Sequence, residues 1–138
     1  MKPRTLGVRS IVLDGNRIAL VRHTYADHWY LPGGGVKKGE SFEQALKREL
    51  REEIALTDYV IERLLGIYHS RREFKDDHIV VFVTRVPSGG RESLTRADLL
   101  EIEQAAWFDL DNLPTDLSPA SARRIAEYQA GEVGKGDW

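Results

Sequence analysis

The sequence predicts an α/β domain in which several strands and two helices share one core. Three observations carry this. Val8–Leu13 and Arg17–His23 are apolar-centred runs separated by Asp14-Gly15-Asn16, a strong local hairpin signal. Phe42, Ala45, Leu46, Leu50 and Ile54 recur at helical spacing behind Ser41 and Gln44, which stand at capping-box distance. Strand and helix patterns are mixed without regular βαβ alternation, so a doubly wound nucleotide fold is not indicated.

After the hairpin, Thr24–Tyr30 reads as a polar, aromatic loop leading into Leu31-Pro32-Gly33-Gly34-Gly35. Three adjacent glycines after a proline mark a backbone that turns sharply or must approach something closely. The first helix begins near Ser41. Tyr59–His69 and His78–Val86 read as two strands joined by a charged loop from Arg71 to Asp77, and Pro87–Gly90 as a turn. Gln104–Leu110 is a further strand. The second helix runs from Pro119 to about Ala130, with Ser118 as N-cap, Pro119 in first position and Gly131 as its stop. Residues 1–131 are expected to form a single domain. Residues 132–138 lack periodicity and are expected to fray.

Composition narrows the functional classes. The chain has 138 residues, 41% apolar, with no cysteine. That excludes disulfide scaffolds, zinc ribbons, iron–sulfur sites and thiol nucleophiles together. Twenty basic against 22 acidic groups give a net charge of −2, without the basic footprint of a general DNA or RNA binder. Met1–Thr5 leads into a strand-like run and not into a signal-peptide core, and no apolar run approaches a membrane span. The expectation is a soluble, cytoplasmic protein with no membrane or DNA partner; a homodimer is left open.

The chemistry is concentrated in Arg48-Glu49-Leu50-Arg51-Glu52-Glu53. With Phe42 at zero and about 100° per residue, the apolar stripe spans about −60° to about +80°. Glu49 then falls near about −20° and Glu53 near about +20°, inside the stripe, with Glu52 at its border. A solvated charge run would place its acids opposite the core. Like charges on an inward face repel and are costly to desolvate. Arg48 is close, but one guanidinium is not expected to serve three carboxylates. A hard divalent cation would, since magnesium takes carboxylates, waters and a substrate phosphate. The glycine loop beside a helix N-terminus adds an anion-favouring backbone. Together these point to diphosphate chemistry. The plainer alternative is a surface helix laced by Glu43–Lys47 and Arg48–Glu52 pairs.

The stretch Gly34–Leu56 resembles the Nudix box. That pattern reads Gly, five residues, Glu, seven residues, then Arg-Glu-aliphatic-any-Glu-Glu-any-Gly-aliphatic. Gly34, Glu40, Arg48, Glu49, Leu50, Glu52, Glu53 and Leu56 match; Ala55 stands where the family has glycine. Glycine there would end the helix in a left-handed conformation, which costs an L-residue roughly 1 kcal/mol or more. The resemblance implies an α/β/α sandwich around a mixed β-sheet. It also implies metal-dependent hydrolysis of a nucleoside diphosphate linked to another moiety. Glu52 and Glu53 would be magnesium or manganese ligands, Glu49 a ligand or the base that activates water, and Arg48 the residue that orients Glu49. The carbonyl of Gly33 would be a further ligand, and Glu40 would tie the loop to the helix. Glu101, or after it Glu103, is the later acid expected to complete the site.

Substrate contacts are expected from Gly34 and from an aromatic ahead of it, with Trp29 and Tyr25 the first choices and Tyr30 beside them, although a core anchor serves Trp29 equally well. His23, His28, His69 and His78 show no ligand spacing and read as loop or strand-end residues; His78, beside Asp76 and Asp77, is the one singled out. Gly34–Gly39 has P-loop spacing, but Glu40 replaces the lysine. No proline stands 15 residues beyond Leu56 and no tyrosine 16 to 18 beyond, so neither the ADP-ribose nor the coenzyme A marker is present. A small nucleotide is the expected substrate. The alternatives are hydrolysis of an RNA 5′ end, disfavoured by the charge balance, and a nucleotide-sensing module without turnover.

Overall fold

The computed structural model describes residues 4–24, 27–72, 75–87 and 102–138. The first hairpin forms as its sequence dictates: β1 (Arg4–Asp14) returns as β2 (Arg17–His23), with Asp14 paired to Arg17. Gly15 takes the turn position at φ +58°, a value that favours glycine. The remaining elements are β3 (Trp29–Tyr30), β4 (Gly33–Gly35), α1 (Phe42–Ile54), β5 (Val60–Arg72), β6 (Lys75–Arg85), β7 (Ile102–Asp109), α2 (Pro119–Gln129) and β8 (Gly134–Asp137).

The strands make one mixed sheet in the order β3-β2-β1-β6-β5-β8, with β4 on β1 and β7 on β2. β1–β6 and β5–β8 are parallel and the other pairs antiparallel. Alternate residues of the central strands feed two cores, as strand geometry requires. Val8, Val12, Ala19 and Val21 pack with Ala45, Leu46, Leu50 and Ile54 of α1. Ile11, Leu13, Ile18 and Leu20 pack on the other face with Ile125 of α2. Burying each such aliphatic contributes roughly 1.5–3 kcal/mol. One helix on each face of a mixed sheet is the α/β/α arrangement.

Three local expectations are corrected. Residues 71, 72 and 75–77 belong to strands, not to a charged loop, because β5 and β6 stay paired as far as Arg72↔Lys75. The triple glycine is a short strand on β1, although the close approach holds: a Cβ on Gly33 would collide with the carbonyl of Val8.

The tail does not fray. β8 pairs with β5, and Trp138 N–H donates to the His69 carbonyl at 2.9 Å. Arg123 and Arg124 of α2 hold the Trp138 oxygen at 2.7 and 2.9 Å, and the Arg124 guanidinium lies 3.9 Å above the Tyr68 ring. These anchors are non-local, so residues 132–138 show no periodicity of their own.

Candidate functional site

α1 starts with the expected capping box: Ser41 Oγ accepts from Gln44 N–H at 3.1 Å, and Gln44 Oε1 accepts from Ser41 N–H at 2.8 Å. The helix ends at Ala55 in the left-handed region, φ +53° and ψ +33°. Ala55 N–H donates to the Arg51 carbonyl and Leu56 N–H to that of Leu50, so the helix closes as it would around glycine. Leu56 is thereby delivered to the core.

Between these ends the acids face inward. Glu53 is only 5% exposed, and its Oε1 accepts the backbone N–H of Gly33 at 2.8 Å. Gly34, next in β4, lies directly against Glu49: a Cβ there would stand 2.6 Å from its carboxylate oxygen. Glycine is required at this position for that close approach. Glu52 sits at the rim with a half-exposed side chain.

Arg48 does more than the sequence suggested. Its guanidinium donates to both oxygens of Glu40 at 2.8 and 2.9 Å, to Glu49 Oε1 at 2.8 Å, and to the Gly35 carbonyl at 2.9 Å. It also reaches Glu52 at 3.3 Å. Arg48 thus serves Glu49, Glu52 and, from the loop, Glu40, a reach that the planar fork of arginine makes feasible, whereas the third helix acid, Glu53, is held by the Gly33 N–H. Glu40 additionally accepts the Lys37 N–H at 2.8 Å. Arg48 first, then that N–H, hold the Glu40 carboxyl down at about 2. Reciprocally, Glu40 and then Glu49 raise the Arg48 pKa above its ordinary value.

Four carboxylates (Glu40, Glu49, Glu52, Glu53) and one guanidinium carry a formal charge of −3 between them. The inward donors on α1 are all carboxylate oxygens, with backbone carbonyls of the glycine strand alongside. That hard-oxygen set fits a divalent cation, and the absence of a side chain at Gly34 lets the Glu49 carboxylate lie against the glycine strand.

A cavity of about 770 Å³ borders this cradle and shares Gly34 and Gly35 with it. Its other walls include Arg9, His28, Tyr30, the start of α2 at Ser118–Ala120, and Trp138. Trp29, by contrast, is the core anchor: it is 8% exposed and packs edge-on to Phe108 at 4.8 Å. Its expected contact with substrate is corrected, since strand alternation turns Tyr30 to the cavity side and Trp29 away. Tyr25 and Glu101 lie outside the described residues. Glu103, on β7, is exposed. Of the aromatics named from the sequence, Tyr30 is the one that lines the cavity, and its pairing with Val21 decides this; the sequence reading missed His28 and Trp138 as cavity residues.

The family question is settled by comparison. The family model described as NUDIX domain matches residues 3–128. The chain belongs to the Nudix hydrolase family. An ADP-ribose pyrophosphatase of Methanocaldococcus jannaschii is 34% identical over 114 residues, covering 79% of this chain and 64% of the relative. The nucleoside triphosphatase NudI of Klebsiella pneumoniae is 32% identical, covering 95% of this chain and 99% of the relative. Among solved structures, the MutT NUDIX hydrolase of Burkholderia pseudomallei superposes with a TM-score of 0.74 at 26% identity, covering 91% of this chain and 98% of that one. The Nudix class is that of pyrophosphohydrolases, and divalent metal use goes with it. Among the described residues, no helix is long and apolar enough to cross a membrane.

Proposed function

We propose that this Nudix enzyme hydrolyses the diphosphate linkage of a small nucleotide, a nucleoside diphosphate linked to another moiety, with magnesium. The observation that carries the reading is the cradle itself. The Gly33 N–H orients the buried Glu53 carboxylate, and the bare Gly34 backbone receives Glu49 beside an open cavity. Glu49, Glu52, Glu53 and the Gly33 carbonyl are the groups to hold Mg²⁺, or Mn²⁺ in its place. When bound, the ion neutralises diphosphate charge and favours in-line attack by water. Glu49 or Glu101 takes the proton from that water. Arg48 positions Glu49 by holding one of its oxygens, which leaves the second oxygen for the reaction. The nucleoside part fits the cavity, where Tyr30 and His28 offer ring faces and Arg9 a cation.

The relatives are named for ADP-ribose and for nucleoside triphosphates, both small nucleotides. This chain has Arg71 where the ADP-ribose marker proline would stand, so the leaving group remains to be read by assay. The test is a product screen over nucleoside triphosphates, dinucleoside polyphosphates, nucleotide sugars and triphosphorylated RNA, with and without magnesium. Magnesium-dependent cleavage of one small-nucleotide class supports the proposal. Cleavage of RNA alone, or binding without turnover, overturns it in favour of RNA 5′-end processing or nucleotide sensing.

A further inference from the structure

A second donor cluster lies outside α1 and the glycine strand. His69 of β5 stands directly opposite His78 of β6 in the antiparallel ladder, a position that brings side chains together on one face. Their rings are 4.7 Å apart, centroid to centroid, and inclined by 34°. Asp76 precedes His78 by two residues and so shares its face. Its Oδ1 contacts His69 Nε2. One ligand atom from each of the three lies within 4.8 Å of the others. A cavity of about 450 Å³ is lined by these three residues together with Arg4 and Arg71.

We propose that His69, Asp76 and His78 form a second metal site, selective for a borderline divalent cation of the zinc class. A hydrogen bond between one imidazole and one carboxylate would suffice to brace the hairpin; the converging second imidazole is what that account leaves over. Two nitrogens and one oxygen match three-ligand zinc sites with an open position, whereas the all-oxygen set on α1 suits magnesium. The two sites share no residue. A cation here takes the place of the His69–Asp76 hydrogen bond and clamps β5 to β6. Arg4 and Arg71 on the cavity wall make water or a small anion the suitable occupant of the open position.

The sequence alone could not show this, because its His-to-Asp-x-His spacing becomes a ligand set only through the His69↔His78 register.

The test uses the full chain, stripped with a chelator and titrated with Zn²⁺ by calorimetry in millimolar magnesium, with Co²⁺ absorbance as an independent probe of coordination. One equivalent of zinc is expected, retained in Glu53→Gln and lost in His69→Asn and in His78→Asn. Zinc should also raise the melting temperature of the wild-type chain but not of the histidine variants. Asp76→Asn, which preserves shape, should weaken zinc binding at least tenfold and guards against misfolded histidine variants. Wild-type stoichiometry in both histidine variants, the absence of saturable zinc binding, or loss of zinc on Glu53→Gln alone would overturn the proposal.

Discussion

The backbone N–H of Gly33 donates to the buried carboxylate of Glu53 across 20 residues of chain, at 2.8 Å. This bond joins the glycine strand to α1 and fixes one Glu53 oxygen, so the direction of the other is set by the fold. Glu53→Gln keeps an acceptor for Gly33 and a near-identical volume while removing the charge. The expected outcome is an unchanged melting temperature with turnover reduced by more than roughly 100-fold, beyond the usual effect of losing a group that only supports a metal ligand. Magnesium affinity measured by calorimetry should fall in parallel. Retained activity would remove Glu53 from the ligand set.

Arg48 contacts Glu40, Glu49, Glu52 and the Gly35 carbonyl at once. Its proposed role is to orient Glu49, so Arg48→Ala should lower kcat more than it raises KM. Arg48→Lys should not rescue it, because an ammonium cannot reproduce the planar fork that spans these acceptors. Steady-state kinetics on the substrate found by the screen would check both. A change in KM alone would make Arg48 a substrate contact.

Glu40 gives a pH prediction with a definite sign. Its carboxyl is held at about 2, against an ordinary 4.5, by Arg48 and by the Lys37 N–H. A lowered folded-state pKa means the unfolded chain binds the proton more readily. The stabilisation is therefore complete above about 4.5 and is lost as pH falls toward about 2. In Glu40→Gln, denaturation midpoints should be lower at neutral pH and should decline less steeply than wild type through that window. Parallel curves for the two proteins would refute the link. The group is solvent-accessible, so the effect on stability is expected to be modest.

What the sequence made legible was local. The Ser41–Gln44 box, the Ser118 cap and the inward phase of Glu53 depend on residues within a turn or two, and helical geometry fixes their positions. What it hid depended on pairing. Whether Trp29 or Tyr30 met the cavity hung on a single residue of register against Val21, and a shift of one reverses the face. The reach of Arg48 to Glu40 depends on how the loop between Gly35 and Ser41 folds back. The order of the tail depends on Gly66, where a Cβ would collide with the Gly134 backbone, and on Gly134, where one would collide with the Tyr68 side chain. None of these contacts has a period that a linear pattern would reveal.

Ala55 is the one position where the Nudix box departs from this chain, and the structure shows its consequence. The residue takes φ +53°, a left-handed conformation that costs an L-residue roughly 1–2 kcal/mol. Ala55→Gly relieves that strain but gives the unfolded chain more freedom, which offsets roughly 0.4–1 kcal/mol. The net expectation is a stabilisation of about 0.5–1 kcal/mol, read as a higher denaturant midpoint at an unchanged slope. Because both closing hydrogen bonds already form with alanine, the orientation of Glu52 and Glu53 should not change, and kcat should stay within about twofold of wild type, a barrier difference well under 1 kcal/mol. A large gain in kcat would instead show that the alanine displaces the end of α1 from its productive position.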